Sequence, residues 1–411
     1  MKITCSCRIA TALVIVVTLS LCLCAEGIDK ESVLHKFSRT SGGYYPFGAL
    51  LEDGSGNLYG TASQGGLTEQ DGGLVFELSP VAGGGYTYAV LYYFTGPEYG
   101  PSGSLVMDSA GNLFGTVSYG GTSEVYELSP NISGTWTETS VYILPSGNYY
   151  SSPVVMDAAG NLYGAGGGGT NGIGCIFELS PSTGGWTFRD IYDFSGTDGR
   201  DPNGVILGAS GELYGTTYEG GNTGCDGGFG CGVVFELRLV SGAWMQRVIH
   251  EFNGGNGWGP EAALTFDGAG NLYGSATQGG EYGYGVIFEL EPSGSGWESH
   301  PVHDFKGYPD DGAFPDGLTF FNASLYGTTD SGGNSNECEV DKDTGCGTVF
   351  ELSPSGGSWK GTLLHNFSGY WDGGLPGQLI FGPEGNAFGV TQIGGTESDG
   401  GVVYELTPGT N

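Results

Sequence analysis

The chain is poor in basic side chains. Only 12 of its 411 residues are Lys or Arg, against 45 Asp or Glu, which gives a formal net charge of −33. A field of that sign repels nucleic-acid phosphates and anionic membrane surfaces, so we expect no nucleic-acid partner. Such a surface is typical of a secreted protein whose molecules repel one another and stay in solution. It would also attract hard cations such as calcium.

Long apolar runs are missing except near the N-terminus. Residues 9–23 are apolar and follow the basic Lys2 and Arg8, and this run is short for a membrane span. We therefore predict that residues 1–25 form a secretory signal peptide and that the protein is secreted or held at the cell surface. No membrane insertion is expected.

Sequence signatures of catalysis are also missing. The chain has no HExxH, no GxSxG between a strand and a helix and no GxxxxGK[ST], and short Gly-containing patterns carry no weight among 83 glycines. The acidic segment 341–345 lacks the later ligands and the closing Glu of an EF-hand loop. No stretch shows a 3.6-residue apolar period, which predicts almost no helix. We predict no catalytic residue, no metal and no cofactor.

Repetition dominates what is present. The core Gly-Asn-Leu-Tyr-Gly, or a close variant, occurs seven times at intervals of about 55 residues. Its second position is occupied by Asn57, Asn112, Asn161, Glu212, Asn271, Ser324 and Asn386. Each unit contains four short runs rich in β-branched and aromatic residues between Gly- and Pro-rich turns, which predicts four antiparallel strands. Seven units account for residues 26–411, so we expect one domain there.

The point in the repeat at which the strands begin and end predicts that the units close into a ring. Residues 33–37 have the pattern of a fourth strand, and residues 402–406 have the pattern of a third strand. If the first strand of the chain completes the last unit, the exposed edges of an open array disappear. We therefore predict an all-β fold, a seven-bladed β-propeller of four-stranded antiparallel blades in which the N-terminal strand completes the last blade.

With their Gly-Asn-Leu-Tyr-Gly and Val-Phe-Glu-Leu-Ser-Pro cores, the units resemble the GloVer-type tandem repeats of secreted bacterial proteins. The resemblance covers essentially all of residues 26–411 and implies an extracellular β-propeller. Proteins of this family often carry a surface-sorting domain, and none is expected in residues 26–411, which leaves the mode of attachment open. The resemblance implies no established reaction and therefore no catalytic residues.

The cysteines favour an oxidising compartment. Five of the nine lie beyond residue 25, and four of these form close pairs in Gly- and Asp-rich loops of two repeats. Local disulfides are the natural interpretation of such pairs in an exported protein. The predicted disulfides are Cys225–Cys231 and Cys338–Cys346. Cys175 is expected to be a buried free thiol, and Cys22 and Cys24 leave lipidation open as a means of anchoring.

Most of the Trp, His and Glu side chains recur at fixed positions of the repeat. Residues that share a strand face at equivalent positions are expected to pack one blade against the next rather than to form a site. The Trp position comprises Trp136, Trp186, Trp244, Trp297 and Trp359; the His position comprises His35, His250, His303 and His365. The third strands each contribute one glutamate, and different blades should hold these farther apart than the roughly 5 to 9.5 Å of a catalytic carboxylate pair, so we expect them to be structural or solvated. They are Glu77, Glu127, Glu178, Glu236, Glu289, Glu351 and Glu405.

Aromatic and acidic residues that the repeat does not explain lie in the loops before each first strand. Exposed rings stack on the apolar faces of sugars, and carboxylates accept hydrogen bonds from hydroxyl groups. The alternative is that these rings simply fill Gly-rich loops. The candidate ligand-binding residues are Tyr44, Tyr45, Tyr99, Tyr149, Tyr150, Asp198, Asp201, Trp258, Tyr308, Asp310, Asp311, Tyr370, Trp371 and Asp372.

Three functions remain open at this point. We predict a monomeric, non-catalytic propeller that binds a glycan or a surface polymer through these loops. One alternative is a hydrolase or lyase that acts on a polysaccharide or an ester at the central channel, since propellers host many reactions. Three or more clustered carboxylates at the channel mouth would favour the enzyme. The other alternative is a cell-surface scaffold without a small ligand.

Overall fold

The structure is a computed structural model, which describes residues 28–38, 42–66, 72–95, 100–101, 103–119, 122–144, 152–340, 343–395 and 400–408. The signal peptide predicted for residues 1–25 lies outside the described residues. So do three of the candidate ligand-binding residues, Tyr99, Tyr149 and Tyr150.

Seven antiparallel sheets are arranged in a ring, and the strands of each blade follow chain order from the centre outwards. Alternating β-branched, aromatic and glycine residues form these short strands, and Gly-rich turns end them. Blade 1 consists of β2 (Tyr44–Glu52), β3 (Leu58–Gln64), β4 (Leu74–Pro80) and β5 (Tyr86–Tyr93). Blade 2 consists of β6 (Val106–Met107), β7 (Leu113–Tyr119), β8 (Thr122–Pro130) and β9 (Trp136–Ile143). Blade 3 consists of β10 (Val155–Met156), β11 (Leu162–Gly166), β12 (Cys175–Ser182) and β13 (Gly185–Asp193).

The next three blades repeat this plan with longer loops. Blade 4 consists of β14 (Arg200–Leu207), β15 (Leu213–Glu219), β16 (Val233–Val240) and β17 (Ala243–Glu251), with a short 3-10 helix at Asp226–Gly228. Blade 5 consists of β18 (Thr265–Phe266), β19 (Leu272–Ala276), β20 (Val286–Ser293) and β21 (Gly296–Asp304). Blade 6 consists of β22 (Gly312–Phe321), β23 (Ser324–Gly332), β26 (Thr348–Ser355) and β27 (Ser358–Asn366). A small hairpin, β24 (Glu339–Val340) and β25 (Asp343–Thr344), extends one of its loops.

Blade 7 confirms the predicted closure. It contains β28 (Gly374–Pro376), β29 (Ile380–Phe381), β30 (Ala387–Ile393), β31 (Val402–Pro408) and, as its outer strand, β1 (Ile28–Lys36). The first strand of the chain runs antiparallel to the last, with Val33 opposite Tyr404. β2 of blade 1 also contacts β30 of blade 7, so the ring is closed by packing at its centre as well.

Aromatic contacts between neighbouring blades form the core, as the repeat predicted. Each Trp of the fourth strands meets an aromatic ring on the second strand of the preceding blade edge to face; the centroids of Trp359 and Tyr273, for example, are 5.8 Å apart. The Phe that follows a fourth strand meets an aromatic ring of the next blade, as Phe252 meets Phe288 at 5.3 Å. Such edge-to-face pairs stabilise by about 1 kcal/mol each beyond the apolar area that they bury.

The last Gly of the Gly-Asn-Leu-Tyr-Gly core is required by a close approach. At Gly274, an added Cβ would lie only 2.5 Å from Cζ of Phe288 and 2.6 Å from a methyl of Leu264. The equivalent glycine of every blade is covered by a ring of the third strand in the same way. The glycines are Gly60, Gly115, Gly164, Gly215, Gly274, Gly327 and Gly389.

Hydrogen bonds at the tight turn between the first and second strands explain the Asn and the Tyr of the Gly-Asn-Leu-Tyr-Gly core. In blade 1, the Asp53 carboxylate accepts the amide of Asn57 at 2.9 Å and the hydroxyl of Tyr59 at 3.2 Å. Burial acts to raise the pKa of Asp53, but these bonds and those from Ser55 outweigh it and lower the pKa. The same tyrosine hydroxyl lies 3.3 Å from a carboxylate oxygen of Glu77, so the two acids share its one hydrogen and the repeated glutamate is part of the blade.

Both predicted disulfides are present, between Cys225 and Cys231 and between Cys338 and Cys346. Cys175 is a buried free thiol, also as predicted. Within the described residues, no helix has the length and apolar character that crossing a membrane requires.

Candidate functional site

The antiparallel order of the strands decides where the candidate residues lie. Loops between second and third strands, and loops from a fourth strand to the next first strand, all emerge on one side of the ring, which we call the loop face. The tight turns emerge on the opposite side. All described candidate ligand-binding residues therefore share the loop face.

Three of the candidate carboxylates are occupied by their own loops. The Asp372 carboxylate accepts the amide and the hydroxyl of Ser368 and lies 3.1 Å from Nε2 of His365. Asp311 forms the equivalent contacts with the Lys306 amide and with His303, both at 3.1 Å.

Asp198 follows the same plan in its own blade. Its carboxylate accepts the Ser195 amide at 2.8 Å and the hydroxyl of Tyr192. Burial acts to raise the pKa of Asp198, and the hydrogen bonds from Tyr192 and Ser195 outweigh it and lower the pKa. These carboxylates order the loops that carry them.

Each disulfide packs against a loop that carries one of the two Trp residues that the repeat does not explain. A Cβ added at Gly369, just before Tyr370 and Trp371, would lie 2.7 Å from Sγ of Cys338. A Cβ added at Gly254, in the loop of Trp258, would lie 3.4 Å from Sγ of Cys225. The disulfides therefore support the two loops from the side.

The two Trp residues differ in exposure. Trp371 is 75% exposed, and Nζ of Lys36 lies 4.9 Å from its ring centroid. Trp258 is half-buried against the blade 4–5 core, its backbone pairs with Gln278, and its ring is 6.3 Å from that of Tyr218.

A rim of exposed rings runs along the loop face from blade 4 to blade 7. It comprises the predicted Tyr308, Tyr370 and Trp371, together with Phe229 and Tyr282, which the sequence analysis missed. Phe229 and Tyr282 lie in loops between second and third strands, whereas the predicted residues lie in or near the loops before first strands. The neighbouring candidate Asp310 is exposed as well, whereas Tyr44 and Tyr45 are half-buried with their rings 5.1 Å apart.

The centre of the ring holds a cavity of about 1220 Å³. The inner segments of all seven blades line it, and the ends of several second strands extend it to the loop face. Of the predicted ligand-binding residues that the structure describes, only Asp201 lies in its wall. The other side chains in the wall that carry rings, amides or carboxylates are Phe47, Gln64, Asn203, Tyr214, Tyr218, Glu261, Asp316 and Gln378.

Two carboxylates of this wall, Glu261 and Asp316, were missed by the sequence analysis. They lie on the inner segments of blades 5 and 6, and the carbonyl of Asp316 accepts the hydroxyl of Ser275 at 2.9 Å. The carbonyl of the residue before Glu261, Pro260, accepts the side-chain amide of Asn203. Each acid is thus held in place by a side chain of the preceding blade.

The cavity changes the acidity of this pair. Water reaches Glu261 inside the channel, but protein surrounds it on its other sides. This burial, and then the charge of Asp316, raise the pKa of Glu261 to about 7. Burial also raises the pKa of Asp316. Among the described residues, no group of three or more His, Cys, Asp or Glu side chains is placed to hold a metal ion.

The sequence contains a signal for this pair. Both acids directly follow a proline of the inner segment, in Pro260-Glu261 just before the first strand of blade 5 and in Pro315-Asp316 within the first strand of blade 6. The residue after the equivalent proline is Phe47, Asn203 or Gly377 in other blades. Comparing the repeats at this position would have singled out the two acids.

Comparison with known proteins agrees with the repeat and the fold. The sequence matches the family described as "Gloeobacter/Verrucomicrobia repeat" over residues 123–341, more than half of the chain. This match confirms the resemblance stated from the repeat cores. No relative was found among curated proteins.

Solved structures that are similar to this one are distant in sequence. A protein from Lactobacillus plantarum is 13% identical with a TM-score of 0.51, over 78% of this chain and 84% of that one. The extracellular domain of a hybrid two-component system from B. thetaiotaomicron is 12% identical with a TM-score of 0.51, over 90% of this chain and 40% of that one. The PQQ-bound aldose sugar dehydrogenase of Streptomyces coelicolor is 14% identical with a TM-score of 0.45, over 93% and 98%. The two structures with TM-scores of 0.51 share the fold, and at these identities their likeness shows the fold alone.

Proposed function

The chain belongs to the family of the Gloeobacter/Verrucomicrobia repeat, and we propose that it is a secreted, non-catalytic propeller that binds a glycan or a cell-surface polymer on its loop face. The ligand occupies the central cavity and extends towards the exposed rings of the rim. Asp201 lies in the wall of this cavity, and Tyr308, Tyr370 and Trp371 form part of the rim.

The central cavity is the observation that supports this proposal. Its volume of about 1220 Å³ exceeds that of typical small-molecule sites, which run from about 300 to 1,000 Å³. Its wall combines amides, hydroxyls and carboxylates with the ring of Phe47, which is 45% exposed although it is a large apolar side chain. Hydrogen-bonding groups beside an exposed ring suit a sugar, whose hydroxyls and apolar face both need partners.

Secretion is supported by the two disulfides. Cys225–Cys231 and Cys338–Cys346 form and persist in oxidising compartments, and the loops they close are those of the proposed binding face. Mass spectrometry of the protein recovered from the culture medium of its host tests the predicted cleavage after residue 25. Recovery of the intact N-terminus from the cytoplasm would contradict it.

Binding is tested with defined sugars. Hexamers of glucose, xylose, mannose, N-acetylglucosamine and glucosamine are titrated into the protein by calorimetry. At least one should bind, and Phe47→Ala should weaken that binding about tenfold, because a stacked ring contributes roughly 1 kcal/mol beyond its area. Trp371→Ala, on the rim, should weaken it less.

Ile132→Ala is the matched control. Ile132 is a fully exposed apolar side chain in a turn on the opposite face, so its replacement should leave the affinity unchanged. If no hexamer binds, the cell-surface scaffold becomes the better hypothesis. If Phe47→Ala and Ile132→Ala behave alike, the central cavity is not the binding site.

An enzyme is the second candidate, and the Glu261–Asp316 pair favours it. A carboxylic acid with a pKa near 7 is suited to general acid and base catalysis at neutral pH. The test is to incubate the same hexamers with the protein and to analyse the products by chromatography. Products that form with the wild type and not with Glu261→Gln would replace the binding proposal by a hydrolase or lyase.

A further inference from the structure

We propose that the central cavity selects sugars with a free amino group, and that Glu261 and Asp316 bind the ammonium group. The inference rests on the proposed function, because it names the class of glycan that the cavity binds. The ligand is a polymer or oligomer of an amino sugar in which the amine is not acetylated.

The wall of the cavity is acidic. The described residues of the wall include three carboxylates and no Lys, Arg or His. One of the three, Asp201, already has a cationic neighbour, since Nε of Arg200 lies 3.5 Å from its carboxylate. In the part of the chain that the structure describes, Glu261 and Asp316 have no ion-pair partner.

The charge of the cavity wall also decides which sign of charge on a ligand is favoured. A cavity with these walls, in a chain of net charge −33, repels uronic acids and sulfated sugars. A cation is attracted, and it relieves the cost of holding two carboxylates in one channel. The structure therefore favours a positively charged ligand over a neutral one and disfavours an anionic one.

An ammonium group suits the Glu261–Asp316 pair better than a metal ion does. Calcium takes six to eight oxygen ligands, and no described group of three or more acidic, His or Cys side chains is placed to hold a metal. An ammonium group has three donors and needs only a few acceptors, which two carboxylates supply. A volume of about 1220 Å³ is also far larger than an ion requires, whereas it accommodates sugar rings beside Phe47.

Binding of an ammonium group at this pair must depend on pH. The titratable groups of the described wall are Glu261, Asp316, Asp201, Tyr214 and Tyr218. Because the pKa of Glu261 is raised to about 7 and that of Asp316 is raised as well, the pair retains a proton near neutral pH. An entering ammonium group favours the charged carboxylates and expels that proton. Affinity should rise from about pH 5 to about pH 6.5, with measurable proton release, and should fall again above about pH 7.5, where the amine of the sugar loses its own charge.

The experiment compares hexamers of glucosamine and N-acetylglucosamine with the same linkage, so that the charge of the amine and its acetyl group are the difference. Calorimetry near pH 6, where the amine is charged and the pair still holds its proton, is done in two buffers of different ionisation enthalpy and gives the affinities and the protons released. The wild type should prefer the glucosamine hexamer about tenfold or more and release protons only with it. Glu261→Gln and Asp316→Asn should each reduce both the preference and the release.

Glu298→Gln is the control, because Glu298 is an exposed acid on the outer strand of the same blade and its replacement changes the net charge equally. It should keep the full preference. Folding of the two cavity variants is checked by thermal unfolding, which they should pass easily because each removes an unfavourable charge.

The outcomes separate the two proposals. Equal affinity for both hexamers, or a preference that survives in both cavity variants, would overturn the amine selection and leave glycan binding intact. Failure of every hexamer to bind would overturn both. A rise in melting temperature with calcium alone that is lost in Glu261→Gln would show that the pair holds a metal ion instead.

Discussion

The interfaces between blades and the wall of the central cavity are built from the same repeat but differ in their residues. At the interfaces, every blade has the same glycine beneath an aromatic ring of the third strand. In the cavity wall, the position after the proline of the inner segment changes from blade to blade, as Phe47, Asn203, Glu261 and Asp316 show. The repeated residues serve packing, and the departures from the repeat mark the candidate site.

The physical reason lies in what each surface meets. Every blade packs on its neighbour in the same geometry, so the same volumes are required at each interface, and close packing tolerates little change. The inner strands face open space at the centre of the ring, where no neighbour restricts the side chain. The residues at this position can therefore change to suit a ligand without destabilising the ring of blades.

The largest expected effect is at an interface. Gly274→Ala places a methyl group 2.5 Å from the Phe288 ring and should lower the free energy of unfolding by about 3 kcal/mol. Gly268→Ala, in the nearby turn, has nothing within 4 Å of the added methyl and should be neutral or slightly stabilising. Denaturant unfolding measures both. Equal effects would mean that the motif glycine is not set by packing.

The next largest effect is the pH dependence of stability that burial of His250, at a repeated interface position, should cause. Burial lowers the pKa of His250 to about 4, against about 6.5 when unfolded. Between these values the unfolded chain binds a proton that the folded chain does not, so stability falls as the pH drops from 6.5 to 4. The loss should be about 2 kcal/mol, after allowance for partial exposure.

His250→Tyr, which introduces the residue found at Tyr92, Tyr142 and Tyr192, should remove its share of this acid loss. His300→Gln is the control, because His300 is 40% exposed and lies outside the repeated position. Thermal unfolding across this pH range distinguishes them. An unchanged pH profile in His250→Tyr would show that this histidine is not the source.

The smallest effect separates the loop face from the interfaces. Replacing Cys338 and Cys346 by Ser opens a short loop and should lower the free energy of unfolding by about 1 to 2 kcal/mol. Hydrogen exchange should increase in the loop of Tyr370 and Trp371, which the disulfide supports, and should stay unchanged at the blade interfaces. Increased exchange throughout blade 6 would show that this disulfide holds the blade itself.

Repetition made much of the fold predictable. The seven copies of one motif predicted the blades, and the offset of the first strand predicted that Val33 and its neighbours pair with the last strand. The Trp and His positions were assigned to packing correctly because a residue that recurs at each interface must meet the same neighbour each time. The Glu position was assigned to a structural role, as the contact of Glu77 with Tyr59 inside its own blade shows. The close spacing of the cysteines made both disulfides predictable.

The candidate site was predictable only in part. The sequence placed aromatic residues on the loop face, but exposure distinguishes Trp371 from Trp258, and burial depends on what the neighbouring loop covers. Asp198, Asp311 and Asp372 are carboxylates of the type that binds sugar hydroxyls. In the structure, however, their oxygens accept hydrogen bonds from backbone amides of their own loops. Their role as ligand contacts therefore remains a proposal.

The sequence by itself determined the number of blades, the closure of the ring and the packing between blades, because these depend on local patterns repeated at a fixed interval. The tertiary structure alone decided that Glu261 and Asp316, 55 residues apart in the chain, share one cavity. Closure of the ring brings the inner strands of all blades to one centre. The raised pKa of the pair arises from that convergence, and no local pattern contains it.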